Sequence, residues 1–203
     1  MTPRIWAATA TILLTTACSE RQGPQAAPAD PPKTLAPATH EAKTMSFHSF
    51  SAAPLGLNEP VSLSKYQGKV LLVANTASHC GYTPQYTPLG DVERKYKDRG
   101  LVVLGFLSDD FGHQAGTVDE VKACSLEHRA TFDQFAELHA KKGPDQAPIF
   151  AWLTSQPGFE GDVKWNFHKW LIGKHGELLG RWPSATPPDG PEITAAIEKA
   201  LAS

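Results

Sequence analysis

KVLLVANTASHCGYTPQY, residues 69–86, decides how this chain folds. It opens on a continuous apolar run led by valine and leucine, the pattern of a strand covered on both faces and therefore central in a sheet. A lone cysteine follows, Cys80, and then Thr83 and Pro84, which suit a helix N-cap and first helical residue. Downstream, Leu89, Val92 and Tyr96 recur at steps of three and four, while Asp91, Glu93, Arg94, Lys95 and Lys97 fill the opposite face. Gly100 supplies the stop. The next segment, LVVLGFL at 101–107, is a second run of the buried type, so strand, helix and strand form a right-handed parallel unit. Cys80 then lies beyond the C-terminal end of a central strand.

Working outward, a second helix is expected over 118–127. VKWNFHKWLI (163–172) and GKHGELLGRW (173–182) read as two strands around a glycine turn at Gly173 to Gly176. Pro191 with Ile193, Ile197 and Leu201 marks a short terminal helix, and a small hairpin is expected around Phe47 to Ser62. This order is that of an α/β domain with a thioredoxin-like fold. It has a central mixed sheet flanked by helices, preceded by an N-terminal β-hairpin, over residues 45–203.

The chain has 203 residues, is 41% hydrophobic and carries a net charge of -2, enough apolar material for one ordinary domain and no charge excess for a polyanion. Nucleic acid is accordingly excluded as a partner. The prolines concentrate near the beginning. Residues 1–17 combine Arg4 and the terminal amine with an apolar run from about Ile5 to Leu14, the layout of an export signal too short to span a bilayer. The ending TTAC resembles a bacterial lipobox, with Cys18 as the lipidated first residue of the mature chain. Thr15 departs from the usual large aliphatic residue there, and an ordinary cleaved signal is the alternative. Residues 18–44 carry Pro24, Pro28, Pro31, Pro32 and Pro37 without apolar periodicity, so they read as a tether behind the anchor. The expected setting is a periplasm-facing membrane lipoprotein of a Gram-negative-type bacterium, or a soluble periplasmic protein if the cysteine is not lipidated.

Cys80 precedes a helix start, where unpaired backbone N–H groups and the helix dipole favour a thiolate. Thiolate is the nucleophilic and oxidisable form of cysteine. A buried, inert cysteine is the competing reading of position alone.

Four blocks, NTASHCGYTPQY, GLVVLGF, FGHQ and KWNF, together resemble the glutathione peroxidase family, from about Phe47 to the C-terminus. The resemblance implies a thioredoxin-like fold and reduction of hydrogen peroxide and organic or lipid hydroperoxides by a cysteine in place of selenocysteine. By motif, Cys80 takes the peroxidatic position, Gln114 the glutamine, and Trp165 and Asn166 the tryptophan and asparagine. Neutral N–H donors on these side chains can stabilise a thiolate and charge on a departing oxygen. Singly, Trp165 could be a core aromatic, Asn166 a strand-end amide and Gln114 a solvated loop residue.

Cys124 aligns with the resolving cysteine of the thioredoxin-dependent branch; its structural alternative is a small buried residue on a helix. If it resolves, Cys80 sulfenic acid condenses with it, which needs Cα atoms within about 7 Å and implies local unwinding of the helix. A two-cysteine cycle implies a thioredoxin-type protein donor rather than glutathione. The short segment from Pro148 to Trp165 lacks the insertion that builds tetramers in larger members, which implies a monomer. No cofactor and no metal are expected.

Two departures from the family pattern bear on reactivity. FLSDDFG stands where FPCNQFG is usual, and Asp109 and Asp110 would raise the Cys80 pKa if they lay close. Ala115 replaces a glutamate after Gln114, removing an anchor for that loop. One rival reading is a thiol sensor or relay with little turnover. Another is a copper-handling protein using Cys80 with His79, His113 or another histidine, which lacks the second nearby sulfur such sites recruit. His139, His168 and His175 are expected on solvated faces or turns.

Overall fold

The computed structural model describes residues 33–34 and 45–203. The segment expected as an export signal, Cys18 and the rest of the expected tether lie outside the described residues. Within the tether, Lys33–Thr34 form a two-residue strand, β1. Two short strands, β2 (Ser51–Ala52) and β3 (Val61–Ser62), pair antiparallel as the expected hairpin.

The first apolar run is β4 (Val70–Thr76), and all seven residues are buried. Alternation along it sends Val70, Leu72 and Ala74 into one apolar cluster and Leu71 and Val73 into another. The first cluster is closed by Leu89 and Val92 of α1 (Tyr86–Tyr96) and by Ile193 and Ile197 of α4 (Pro191–Ala202). On the other face, Phe150 and Leu153 of α3 (Pro148–Ser155) pack with Phe47 and Leu63 from the N-terminal hairpin region. Two-sided burial explains why the run shows no polar alternation.

The second run is β5 (Leu101–Leu107), parallel to β4 with Val70 opposite Leu101 and Thr76 opposite Leu107. α2 (Val118–Glu127) begins with a capping box in which the Thr117 hydroxyl accepts from the Glu120 N–H and the Glu120 carboxylate accepts from the Thr117 N–H. A short strand, β6 (Asp133–Phe135), then adds in parallel beyond β5. β7 (Lys169–Ile172) and β8 (Leu178–Trp182) return antiparallel, and the sheet order is β1-β8-β7-β4-β5-β6. This is a thioredoxin-like fold with a mixed central sheet flanked by helices. β1 pairs with β8, so part of the expected tether adds an edge to the sheet.

Two boundaries differ from expectation. A 3₁₀ turn, Thr83–Gln85, precedes α1, and Thr83 is committed to the cysteine turn rather than to an N-cap. β7 starts at Lys169 and not at Val163, because residue Phe167 takes a left-handed backbone with φ 63° and turns the chain. His168 is consequently buried rather than solvated.

Candidate active site

Cys80 sits in the turn between β4 and α1. Its N–H donates to the Thr83 Oγ1 at 3.0 Å, the Thr83 hydroxyl donates to the Ala77 carbonyl at 3.0 Å, and the Thr83 N–H donates to the Cys80 carbonyl at 2.9 Å. One threonine thus ties the turn to the end of the strand. Cys80 is a free thiol, only 6% exposed, and the Tyr82 N–H approaches its sulfur at 3.5 Å.

The structure brings Trp165 and Asn166 from the turn before β7 to that sulfur, where both side chains act as N–H donors that favour its thiolate. Gln114 joins them through Asn166, whose Nδ2 donates to Gln114 Oε1 at 3.2 Å. Gln114 and Asn166 are buried, and half-buried Trp165 packs against Phe111 at 5.9 Å between ring centroids. The Asn166 Oδ1 is buried with no hydrogen-bond partner among the described residues. Burial pushes the Cys80 thiol above its ordinary range, and the bonds from the Tyr82 amide, Trp165 and Asn166 oppose that rise without cancelling it. The helix start alone therefore does not yield the resting thiolate that position suggested.

Asp109 and Asp110 are not among the groups acting on Cys80. Asp109 accepts from the Ala115 N–H at 2.9 Å and from His113 Nδ1 at 2.7 Å. Asp110 accepts from the Ser108 hydroxyl, His139 Nδ1 and the Ala140 and Lys141 N–H groups. Its burial would raise its pKa, but these donors, led by the Lys141 amide, hold the carboxyl below its usual range. Both carboxylates organise the 108–116 loop instead of facing the thiol.

That loop is aligned on the cysteine turn by main-chain bonds. The Ser108 N–H donates to the Thr76 carbonyl at 2.9 Å, the Ser78 N–H to Ala115 at 3.1 Å, and the His79 N–H to Gln114 at 3.0 Å. Ser78 Oγ adds a bond to the Ala115 carbonyl at 2.7 Å. Gln114 thus has an anchor that does not depend on the missing glutamate. Gly116, with φ 83°, allows this approach: a Cβ there would stand 2.0 Å from Ser78 Oγ. Ser78 and Gly116 are contributors without a motif signal; Thr83, expected as a helix cap, and Asp109, expected as a charge on the thiol, instead hold the cysteine turn and the Ala115 N–H.

Cys124 lies on the inner face of α2, buried in the same apolar cluster as Cys80. With Cys80 free, the two are not bonded to each other. His79 Nε2 stands 3.5 Å from the Glu120 carboxylate, linking the cysteine turn to the first turn of α2. Among the described residues, no group of three or more His, Cys, Asp or Glu is placed to hold a metal ion. No helix of the described residues is long and apolar enough to cross a membrane.

The family model for glutathione peroxidases matches residues 47–154. The chain belongs to the glutathione peroxidase family. Among the relatives of this glutathione peroxidase homologue is a hydroperoxy fatty acid reductase from Synechocystis sp., 42% identical over 164 residues, covering 76% of this chain and 95% of that protein. A glutathione peroxidase-like peroxiredoxin from Schizosaccharomyces pombe is 38% identical over 148 residues, covering 70% and 92%. The crystal structure of Trgpx in apo form superposes with a TM-score of 0.64 at 36% identity, covering 79% of this chain and 98% of that one. The glutathione peroxidase homologue is thus a peroxidase, an oxidoreductase.

Proposed function

We propose that this enzyme is a thiol peroxidase reducing hydrogen peroxide and organic or lipid hydroperoxides, with Cys80 as the attacking thiol. The observation that supports this most is a free, buried Cys80 sulfur that accepts from the Tyr82 amide and has the Trp165 and Asn166 side chains beside it favouring its thiolate, with Gln114 bonded to Asn166. In the first step the Cys80 sulfur bonds the terminal peroxide oxygen, the O–O bond breaks, and the thiol proton ends on the departing oxygen as an alcohol or water. Charge on that oxygen is met by neutral N–H groups. The free Asn166 Oδ1 offers the incoming hydroperoxide O–H an acceptor. Organic hydroperoxides are favoured by likeness to the Synechocystis hydroperoxy fatty acid reductase.

Cys80 sulfenic acid then condenses with Cys124 when that residue is in its reduced, thiol form, forming a disulfide and releasing water. A thioredoxin-type dithiol returns both cysteines to thiols by thiol–disulfide exchange and is itself oxidised. A two-cysteine cycle favours such a protein dithiol over glutathione as the donor. On sequence pattern alone, Cys18 carries a lipid anchor that holds a monomeric domain at a periplasm-facing membrane.

The test compares peroxide turnover with a thioredoxin system and with glutathione for wild type, Cys80→Ser and Cys124→Ser. We expect Cys80→Ser to be inactive with either donor and Cys124→Ser to lose turnover with the thioredoxin system. Retained turnover in Cys124→Ser would remove the resolving role. Stoichiometric oxidation without turnover in the wild type would mark a relay instead. Intact mass of the membrane fraction checks the anchor, since a mature chain beginning elsewhere than Cys18 would sink it.

A further inference from the structure

The geometry points to Asn75 as a positioning residue that sets the Trp165–Asn166 turn against the Cys80 sulfur; this rests on the peroxidase reading above. Asn75 is the penultimate residue of β4 and is fully buried. Its neighbour Ala74 pairs with Lys169, the first residue of β7, so Asn75 stands where the regular antiparallel ladder ends. From there it replaces the ladder with three bonds of its own. The Asn75 Nδ2 donates to the Trp165 carbonyl at 3.1 Å, its main-chain carbonyl accepts from the Phe167 N–H at 2.6 Å, and its Oδ1 accepts from the His168 N–H at 2.9 Å.

These bonds fall on both sides of Asn166. Fixing the Trp165 carbonyl and the Phe167 and His168 amides leaves the Asn166 peptide little freedom. Phe167 is held at φ 63°, a conformation costly for a residue with a Cβ and maintained only where surroundings impose it. Phe167 itself anchors in the core edge-on to Tyr86, with ring centroids 5.7 Å apart. The strained residue thus lies between two fixed points, with Asn75 on one side and the aromatic core on the other. The outcome is that adjacent residues, Trp165 and Asn166, both reach the same sulfur. An extended strand would send them to opposite faces of the sheet. Asn75 is the side chain that prevents that extension, because its Nδ2 and Oδ1 hold the Trp165 carbonyl and the His168 amide from two separate atoms, whereas the shorter serine has one hydroxyl to serve both and an aspartate lacks the N–H donor.

The experiment uses Asn75→Ser, Asn75→Asp and, as a control, Val73→Ala. Val73 lies on the same strand and faces the core, so its truncation lowers thermal stability without touching the turn. Two readouts are taken on the full chain: the pH profile of Cys80 alkylation, quantified on the Cys80 peptide by mass spectrometry, and the second-order rate with hydrogen peroxide. Both Asn75 variants are expected to move the alkylation profile to higher pH and to slow the peroxide reaction by about tenfold or more, the penalty of misplaced catalytic groups. Val73→Ala should leave both at wild-type values despite its lower melting temperature. Wild-type profiles in folded Asn75 variants would overturn the inference, as would an equal shift in Val73→Ala. A shift in Asn75→Asp alone would mark a charge effect and overturn it too, and failure of both Asn75 variants to fold would assign the residue to folding. If the wild type did not react with peroxide, the peroxidase reading would fail, while the alkylation profiles would still report on the turn.

Discussion

Replacing Lys169 by methionine should change how stability depends on pH, and the size of the change follows from its surroundings. Lys169 is fully buried at the start of β7. Its Nζ donates to Gln85 Oε1 and to the Ser184 carbonyl, both at 2.9 Å, and both acceptors are neutral. Burial lowers its pKa from 10.5 to about 7. A neutral amine has two N–H donors, and the two acceptors match them. Between pH 7 and 10.5 the unfolded chain therefore holds more protons than the folded one, so stability rises with pH across that window and is lowest below it. The full penalty is about 5 kcal/mol, and about 2 kcal/mol of it is relieved between pH 7 and 9. Methionine keeps the apolar stem and removes the titration, while Gln85 Nε2 still donates to Ser184 at 2.7 Å. Urea unfolding of both proteins at pH 7, 8 and 9 isolates the effect, since other groups cancel in the difference. Wild type should gain about 2 kcal/mol relative to Lys169→Met. A difference constant to within about 0.5 kcal/mol would show that Lys169 stays protonated and refute the reasoning.

Asp110→Asn should cost about 2 kcal/mol at neutral pH through weakened charge-assisted bonds to the 139–141 backbone and His139. Because the folded Asp110 pKa is depressed, its contribution is complete above the unfolded value of 3.8 and is lost as pH falls through the folded value. Chemical unfolding at pH 7 and pH 3 should show the two proteins converging, and a gap that widens in acid would contradict the sign. Gly116→Ala forces a Cβ against Ser78 Oγ at a positive φ and should slow the peroxide step by about tenfold through displacement of the cysteine turn. Stopped-flow rates equal to wild type would show that the turn does not depend on this approach.

The strands and the amphipathic helices were legible because burial writes itself into the chain as runs and steps. β4, β5, α2 and α4 fall where Val70, Leu101, Val118 and Pro191 announce them. β6 was not visible, since three residues, Asp133–Phe135, carry no period. α3 was missed as well, its Pro148 start being the one local signal. At the site, Cys80, Gln114, Trp165 and Asn166 were identified by motif and the fold brings them together. The balance of forces on Cys80 was not readable, because desolvation depends on the packed neighbours and outweighed the helix start. Nor could the direction of Asp109 and Asp110 be read: their donors at Ala115, Ala140 and Lys141 are main-chain groups without a residue-type signature.

The main-chain bonds from Thr76 to Ser108, Ser78 to Ala115 and His79 to Gln114 have a further consequence for how such chains diverge. Alignment carried by peptide groups fixes the base of the loop without regard to the side chains at those positions, provided Gly116 keeps its backbone freedom. The acidic pair sits above that base and adds its own bonds, to Ala115 from Asp109 and to Ala140 and Lys141 from Asp110. Exposed His113 is consequently the position where the rim can be altered while Asp109, Asp110 and Gln114 stay in place.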